Sequence, residues 1–379
     1  MKQIRYLAVF ICFAVLASGW SSSTSAQEPS VNVSVFSKQP LVSPRGLKFG
    51  PDGNLYVAEA GFPAGDVHEA LAGSGGDCSV GKDIPGDRYI GGTTGSRISK
   101  IDADGNVTTF VDNLPSDAIF NGDLPAGLAS GVADVAFIGD TMYAIYAGAG
   151  CSHGVPSIPN AVVRINPNHT PTIIADLGAF LRSHPVANPT DPINGDFEPD
   201  GTWYSMIALR GNLYAVEPNH GELDKITPDG EITRVIDISA SQGHVVPTVV
   251  AIHGVFYISN LGQFDPEQLN TQDVFHITPS GQLKVVATGL SKVLGLAFDG
   301  RARLYVLETS TGSAGPVPAS GRLIRILPNG EQQVLIDSTP DDPLFFPTGL
   351  TFGPDGALYI SNHGFGPPGG EILKVEVKD

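Results

Sequence analysis

One segment appears twice. Residues Pro44-Arg45-Gly46-Leu47-Lys48-Phe49-Gly50-Pro51-Asp52-Gly53-Asn54-Leu55-Tyr56-Val57-Ala58-Glu59 return near the other end of the chain as Pro347-Thr348-Gly349-Leu350-Thr351-Phe352-Gly353-Pro354-Asp355-Gly356-Ala357-Leu358-Tyr359-Ile360-Ser361-Asn362. Each copy reads as two short strands joined by a Pro-Asp-Gly turn. Weaker copies end at Tyr143, Tyr214, Tyr257 and Tyr305, giving six hairpins. A second strand pair follows each: residues 97–111, 161–175, 222–236, 274–287, 323–336 and, shortened, 371–377.

Four strands per unit, repeated six times, predict an all-β chain folded as a six-bladed β-propeller of four-stranded blades. Radial closure removes the long exposed edges that an open array would leave. The last unit is one strand short, and residues 31–36 (Val-Asn-Val-Ser-Val-Phe) are expected to close the ring as its outer strand. No segment sustains a 3.6-residue apolar period, in keeping with 46 glycines and 30 prolines.

Chain order also sorts the loops by face. The connection after each second strand, and each inter-blade segment, lies at the end where the inner strand begins, called here the upper mouth. These segments are long (residues 60–96, 114–130, 147–160, 178–202, 261–272 and 309–321), whereas the lower turns are minimal. Function is expected on the elaborated face.

The last residue of the second strand in the six units is Glu59, Tyr146, Glu217, Asn260, Glu308 and Asn362. Five oxygen-bearing side chains at one repeated position could together ligate a hard divalent cation such as Ca²⁺, which takes six to eight oxygens. The plainer reading has each of them capping its strand end or holding a neighbouring loop. The inner-strand column reads Gly46, Asp134, Met206, Val249, Gly295 and Gly349, placing Asp134 as a channel acid, or as a carboxylate bonded to a loop amide. His220 and His363 occupy matched upper-loop positions and are candidate proton-transfer groups, and His153 follows Cys151. Trp203, Tyr204, Phe264 and Phe345 offer an apolar wall for a substrate. No nucleophile elbow, phosphate-binding loop, dinucleotide fingerprint or CxxC is present.

Residues 1–26 read as a signal peptide: Lys2 and Arg5, an apolar run over 6–17, then small residues at 24–26. Residues 27–379 then form one propeller domain, periplasmic or secreted, without membrane insertion. Without the leader the net charge is about −19, from 20 basic and 39 acidic residues, which makes nucleic acid a poor partner. Cys12 leaves with the leader. Cys78 and Cys151 are expected to pair as a disulfide in an oxidising compartment, a redox or metal-binding thiol pair being the alternative.

The runs Val246-Pro247-Thr248, Leu304-Tyr305-Val306-Leu307-Glu308, Pro347-Thr348-Gly349-Leu350 and Ser361-Asn362-His363-Gly364 resemble the ScyD/ScyE family of NHL-like propellers. The resemblance covers nearly the whole chain after the leader. It implies export and, for members of the scytonemin pathway, work on an indole- and phenol-derived precursor in late oxidative assembly of the pigment. The chain departs from the family pattern at Thr202-Trp203-Tyr204, where Asn-Pro-Tyr is usual, and at Gly295, where an Asp is usual. The leading expectation is therefore a propeller that binds a divalent cation at the channel mouth and acts on, or holds, a small aromatic metabolite. Metal-assisted lactone or ester hydrolysis and a non-enzymatic binding or scaffold role are the alternatives.

Overall fold

The computed structural model describes residues 29–72, 79–80, 87–121, 124–191, 197–263, 269–312, 321–337, 339, 343–365 and 369–379. Residues 1–26, expected as a leader, Cys78 and Phe264 lie outside the described residues. The expected pairing of Cys78 with Cys151 therefore stays an expectation.

Six antiparallel sheets follow one another along the chain, the arrangement of a six-bladed propeller. Their inner strands are Pro44–Phe49, Val132–Ile138, Ser205–Leu209, Pro247–His253, Val293–Phe298 and Gly349–Phe352. Second strands end at Glu59, Tyr146, Glu217, Asn260, Glu308 and Asn362, as the repeat predicts. Ser30–Val35 pairs antiparallel with Glu371–Lys378, so the sixth sheet takes its outer strand from the start of the chain.

Successive side chains of a strand point to opposite faces, and each face packs against the neighbouring sheet on its side, Leu55 and Val57 towards blade 6 and Tyr56 and Ala58 towards blade 2. One buried cluster fills each junction: Tyr56, Ile98 and Val135 between blades 1 and 2, for instance, and Leu47, Leu55, Tyr359 and Ile372 between blades 6 and 1. Cutting one of these leucines to alanine would cost about 2–5 kcal/mol, because packed neighbours collapse only partly into the gap.

The repeated turn explains itself chemically. Asp52 accepts from the Tyr56 hydroxyl at 3.0 Å and pairs with Lys100 at 2.8 Å, while Asp355 does the same with Tyr359 at 3.0 Å and Lys374 at 2.6 Å. Gly53 and Gly356 supply the φ of 77° and 79° that the turn needs.

Blade 1 departs from the four-strand expectation. Its third and fourth strands run on as Asp87–Ile101 and Val107–Asn121, and Ala64–Glu69 and Leu124–Ser130 add to them. Parts of residues 60–96 and 114–130, expected as loops, are thus a β-ribbon rising from the upper face. Their glycines and small polar residues hid the strand periodicity. Among the described residues no helix is long and apolar enough to cross a membrane.

Candidate functional site at the upper mouth

The five oxygen-bearing residues of the expected cation ring sit at equivalent places, yet each is engaged within its own blade. Glu59 accepts from the Val42 amide at 2.6 Å and from Arg97 at 2.8 and 2.9 Å. Glu308 accepts from the Ser291 amide at 2.8 Å and from both arms of Arg322. Glu217 accepts from the amides of Thr202, Asn219 and His220 at 2.9, 3.0 and 2.5 Å. Asn260 accepts from Asp273 N at 3.1 Å and donates to Val245 O at 3.0 Å; Asn362 accepts from Phe345 N at 2.8 Å and donates to Pro343 O at 2.8 Å. Each therefore ties the segment entering an inner strand, or the loop beside it, to the end of the second strand.

This arrangement gives the cation reading no support among the described residues. The oxygens are consumed by backbone amides and arginines, and among the described residues no three His, Cys, Asp or Glu side chains converge so as to hold a metal ion. The donor set does not fit a shared Ca²⁺.

Asp134 is 2% exposed and does not open into the channel. Its carboxylate accepts from Val135 N and from Met206 N of the next blade, each at 2.9 Å, with Lys48 at 3.7 Å. Burial pushes this carboxyl up, and Lys48 opposes the shift. A Cβ on Gly46 would fall 2.1 Å from Asp134 Oδ1, so the glycine is the space this carboxylate occupies. Asp134 is an inter-blade link rather than a free acid.

The inner strands of blades 1, 2, 4 and 5 each lose register at their upper end, between Pro44 and Leu47, Val132 and Asp134, Pro247 and Val249, and Val293 and Gly295. Such bulges free a residue from the ladder and re-aim its side chain. Thr248 in one bulge donates to Val293 O of the next blade at 2.6 Å, and Thr348 likewise donates to Pro44 O at 2.6 Å.

Arg45 occupies the blade 1 bulge, where the second copy of the repeat has Thr348. It is 4% exposed, donates to Ala129 O, and lies 4.3 Å from the ring centre of Phe365. Tyr204, which leads into blade 3, sends its hydroxyl across the axis to Thr348 O of blade 6 at 3.0 Å, with Arg45 beside it. Burial pushes the phenol up to about 12, so it stays protonated and donates. Tyr204 and Arg45 together form a bar across the upper mouth.

Trp203, expected on a substrate wall, is fully buried in the junction between blades 2 and 3. The exposed aromatic surface on the upper side comes instead from blade 6: Phe345 is 40% exposed and packs 5.1 Å from Phe346 and 4.9 Å from His363, and Phe346 packs 5.8 Å from Phe365.

The two matched histidines differ. His363 is half-exposed on this aromatic patch, whereas His220 is nearly buried 3.5 Å from Glu217. Burial pushes His220 down, but Glu217 more than offsets that and raises it. His153, which follows Cys151 and is a candidate general base or ligand, is buried, 3.0 Å from Asp117 of the ribbon, 3.1 Å from Gly201 O and 3.6 Å from Glu198. Burial opposes its charge, yet Asp117 and Glu198 hold it protonated up to about 10. Its contacts with Asp117 and Gly201 O pin the ribbon to the segment leading into blade 3.

Sequence reading passed over Arg45, Thr348 and Asp117. Laying the two copies of the repeat on each other exposes the Arg45 and Thr348 exchange; nothing local marks Asp117. On the lower rim, two open hollows of about 610 and 600 Å³ lie at the turns, one beside Arg301, Arg303 and Asp379, the other beside Tyr56, Phe110 and His169. Both are far along the strands from the bar.

No protein-family model matches the sequence, and no curated protein does. Solved structures do match in fold. A Bacteroides thetaiotaomicron protein of unknown function has a TM-score of 0.56 at 14% identity, covering 93% of this chain and 77% of its own. The PQQ-bound aldose sugar dehydrogenase of Streptomyces coelicolor has a TM-score of 0.54 at 17% identity, covering 93% and 99%. A Xanthomonas campestris gluconolactonase has 0.53 at 12%, covering 92% and 90%. At such identities the likeness speaks for architecture alone. The chain belongs among the β-propellers.

Proposed function

We propose that this is an exported propeller that holds a small aromatic molecule against the blade 6 aromatic patch beside the Tyr204–Arg45 bar, without a resident divalent cation. The observation that carries this reading is the aromatic patch of Phe345, Phe346, Phe365 and His363, partly open to solvent, whose Phe365 ring lies 4.3 Å from the buried Arg45 guanidinium. Aromatic rings stack on such a surface with geometry-dependent gains of about 0.5–1.5 kcal/mol beyond burial. The resemblance to the ScyD/ScyE family supports the same ligand class. Metal-assisted lactone hydrolysis is favoured less, because the ring oxygens are engaged.

Calorimetry or ligand-detected NMR against a panel of small aromatic compounds tests it. Binding at sub-millimolar concentration that falls at least tenfold in Phe345→Ala, with no response to Ca²⁺ or EDTA, is the expected result. Equal binding by Phe345→Ala, or binding that requires added cation, would sink it.

A further inference from the structure

Blade 5 keeps the shape of the repeated turn and reverses its charge. In blade 1 the turn is closed by Gly50 N to Asn54 O at 2.8 Å and Gly53 N to Gly50 O at 3.0 Å; in blade 6 it is closed by Gly353 N to Ala357 O at 2.8 Å and Gly356 N to Gly353 O at 2.9 Å. Blade 5 makes the same two bonds, Asp299 N to Arg303 O and Ala302 N to Asp299 O, each at 3.1 Å. Arg301 therefore stands where those blades have Asp52 and Asp355. Across the sheet, Arg325 faces Tyr305 just as Lys100 faces Tyr56 and Lys374 faces Tyr359. The third-strand cation of blade 5 has lost the turn carboxylate that serves it in the other two blades, and the turn offers a second cation in that place.

A carboxylate from outside the blade fills the gap. Asp379 Oδ2 accepts from Arg301 at 2.8 Å and from Arg303 at 2.5 Å, and its Oδ1 accepts from Arg325 at 2.6 Å. The acid of the turn itself, Asp299, is spent on the amides of Arg301 and Arg303 at 2.9 and 3.0 Å and on Arg303 Nε at 2.5 Å. Gln333, which is bonded to Glu331, takes the other edge of Arg325. With Lys378 on the rim, four cations face the two carboxylates of Asp299 and Asp379, in a chain whose net charge is −17. Guanidinium groups carry planar forks of donors that match a carboxylate, and three of them converge here on one. Hydrogen bonds from Arg303 and Arg325 hold Asp379 below the usual carboxylate range, so the seat favours a charged occupant.

The seat is not sealed. The Asp379 side chain is 40% exposed and that of Arg301 is 72% exposed. Both open into the hollow of about 610 Å³ between the turns of blades 5 and 6, where Phe298 and Phe352 are half-buried. Such a volume suits a small organic molecule.

We propose that this hollow binds a small organic carboxylate on Arg301, Arg303 and Arg325, and that Asp379 is the resident stand-in which the ligand displaces. The ligand carboxylate takes over the three guanidinium contacts, its carbon skeleton lies against Phe298 and Phe352, and the Asp379 side chain turns to solvent. Exchange of one carboxylate for another leaves the number of ion pairs unchanged, and the excess of positive charge favours a ligand carrying a second acid group. The site lies on the lower rim and does not depend on the aromatic patch of the upper face.

Calorimetry at low ionic strength, where screening is weak, tests it with succinate as the probe and succinamide as its neutral counterpart. Wild type, Asp379→Asn and Arg301→Ala are compared, with circular dichroism to show that each is folded. Succinate is expected to bind to wild type and succinamide not to bind. Asp379→Asn removes the internal competitor and is expected to bind succinate about threefold tighter or more. Arg301→Ala removes a charged donor and is expected to bind it about tenfold more weakly or worse. Absence of succinate binding in both wild type and Asp379→Asn overturns the proposal, as does equal binding of succinamide. Unchanged or weakened binding in Asp379→Asn shows that the aspartate does not occupy the ligand's seat, and full affinity in Arg301→Ala places the ligand elsewhere; either result also overturns it.

Discussion

The hydroxyl of Tyr204 donates to the carbonyl of Thr348 at 3.0 Å, joining blade 3 to blade 6 across the axis of the ring. A side chain that spans opposite blades constrains the ring diameter directly. Tyr204→Phe keeps the packing and deletes the bond, and is expected to lower stability by about 1 kcal/mol. Urea denaturation checks this, and an unchanged midpoint would mean the hydroxyl is idle.

His153 predicts how stability varies with pH. Its charge is favoured in the folded protein up to about 10, against an ordinary value of 6.5. The folded state therefore holds more protons than the unfolded one between these values, and stability must fall as pH rises through that window, being fully present below it. The Glu222–Asp224 pair, also raised, adds loss in the same direction. Denaturant midpoints taken at pH about 6, 8 and 10 are expected to decline, and His153→Asn to flatten the decline from a lower starting point.

Glu308 is a brace and should behave as one. Its removal leaves Arg322 and the Ser291 amide without their acceptor, so Glu308→Ala is expected to cost about 3 kcal/mol. EDTA or Ca²⁺ should leave the thermal midpoint of the wild type unmoved. A midpoint raised several degrees by Ca²⁺ would restore the cation reading.

Gly46 and Asp134 should be coupled. Gly46→Ala drives a methyl group against the carboxylate of Asp134 and is expected to destabilise by about 1–3 kcal/mol. In an Asp134→Ala background that clash disappears, so the second change should cost less than it does alone. Additive effects in a double-mutant cycle would show that the two do not share the space.

The blade count, the strand ends and the closing strand were legible because they rest on period, turn chemistry and alternation, all local in sequence. The bar was not. Arg45 and Tyr204 meet only because a bulge frees one and an inter-blade segment aims the other, and neither event leaves a local mark. The ring residues were located correctly by position, but position alone does not say whether an oxygen faces a cation or an amide. Glu59 and Glu308 looked like ligands because the arginines that hold them, Arg97 and Arg322, come after loops of variable length. Trp203 looked like a wall residue because an indole near a loop reads the same whether buried or open.

Ser30–Val35 zips onto Glu371–Lys378. During synthesis the earliest strand must wait for the last one to emerge, and until then two flat edges and an unfinished apolar junction face the surroundings. Contacts of such sequence separation form slowly. The interval before the ends meet is when this chain is most prone to stick to its own kind, and a chaperone that shields Ser30–Val35 would act there.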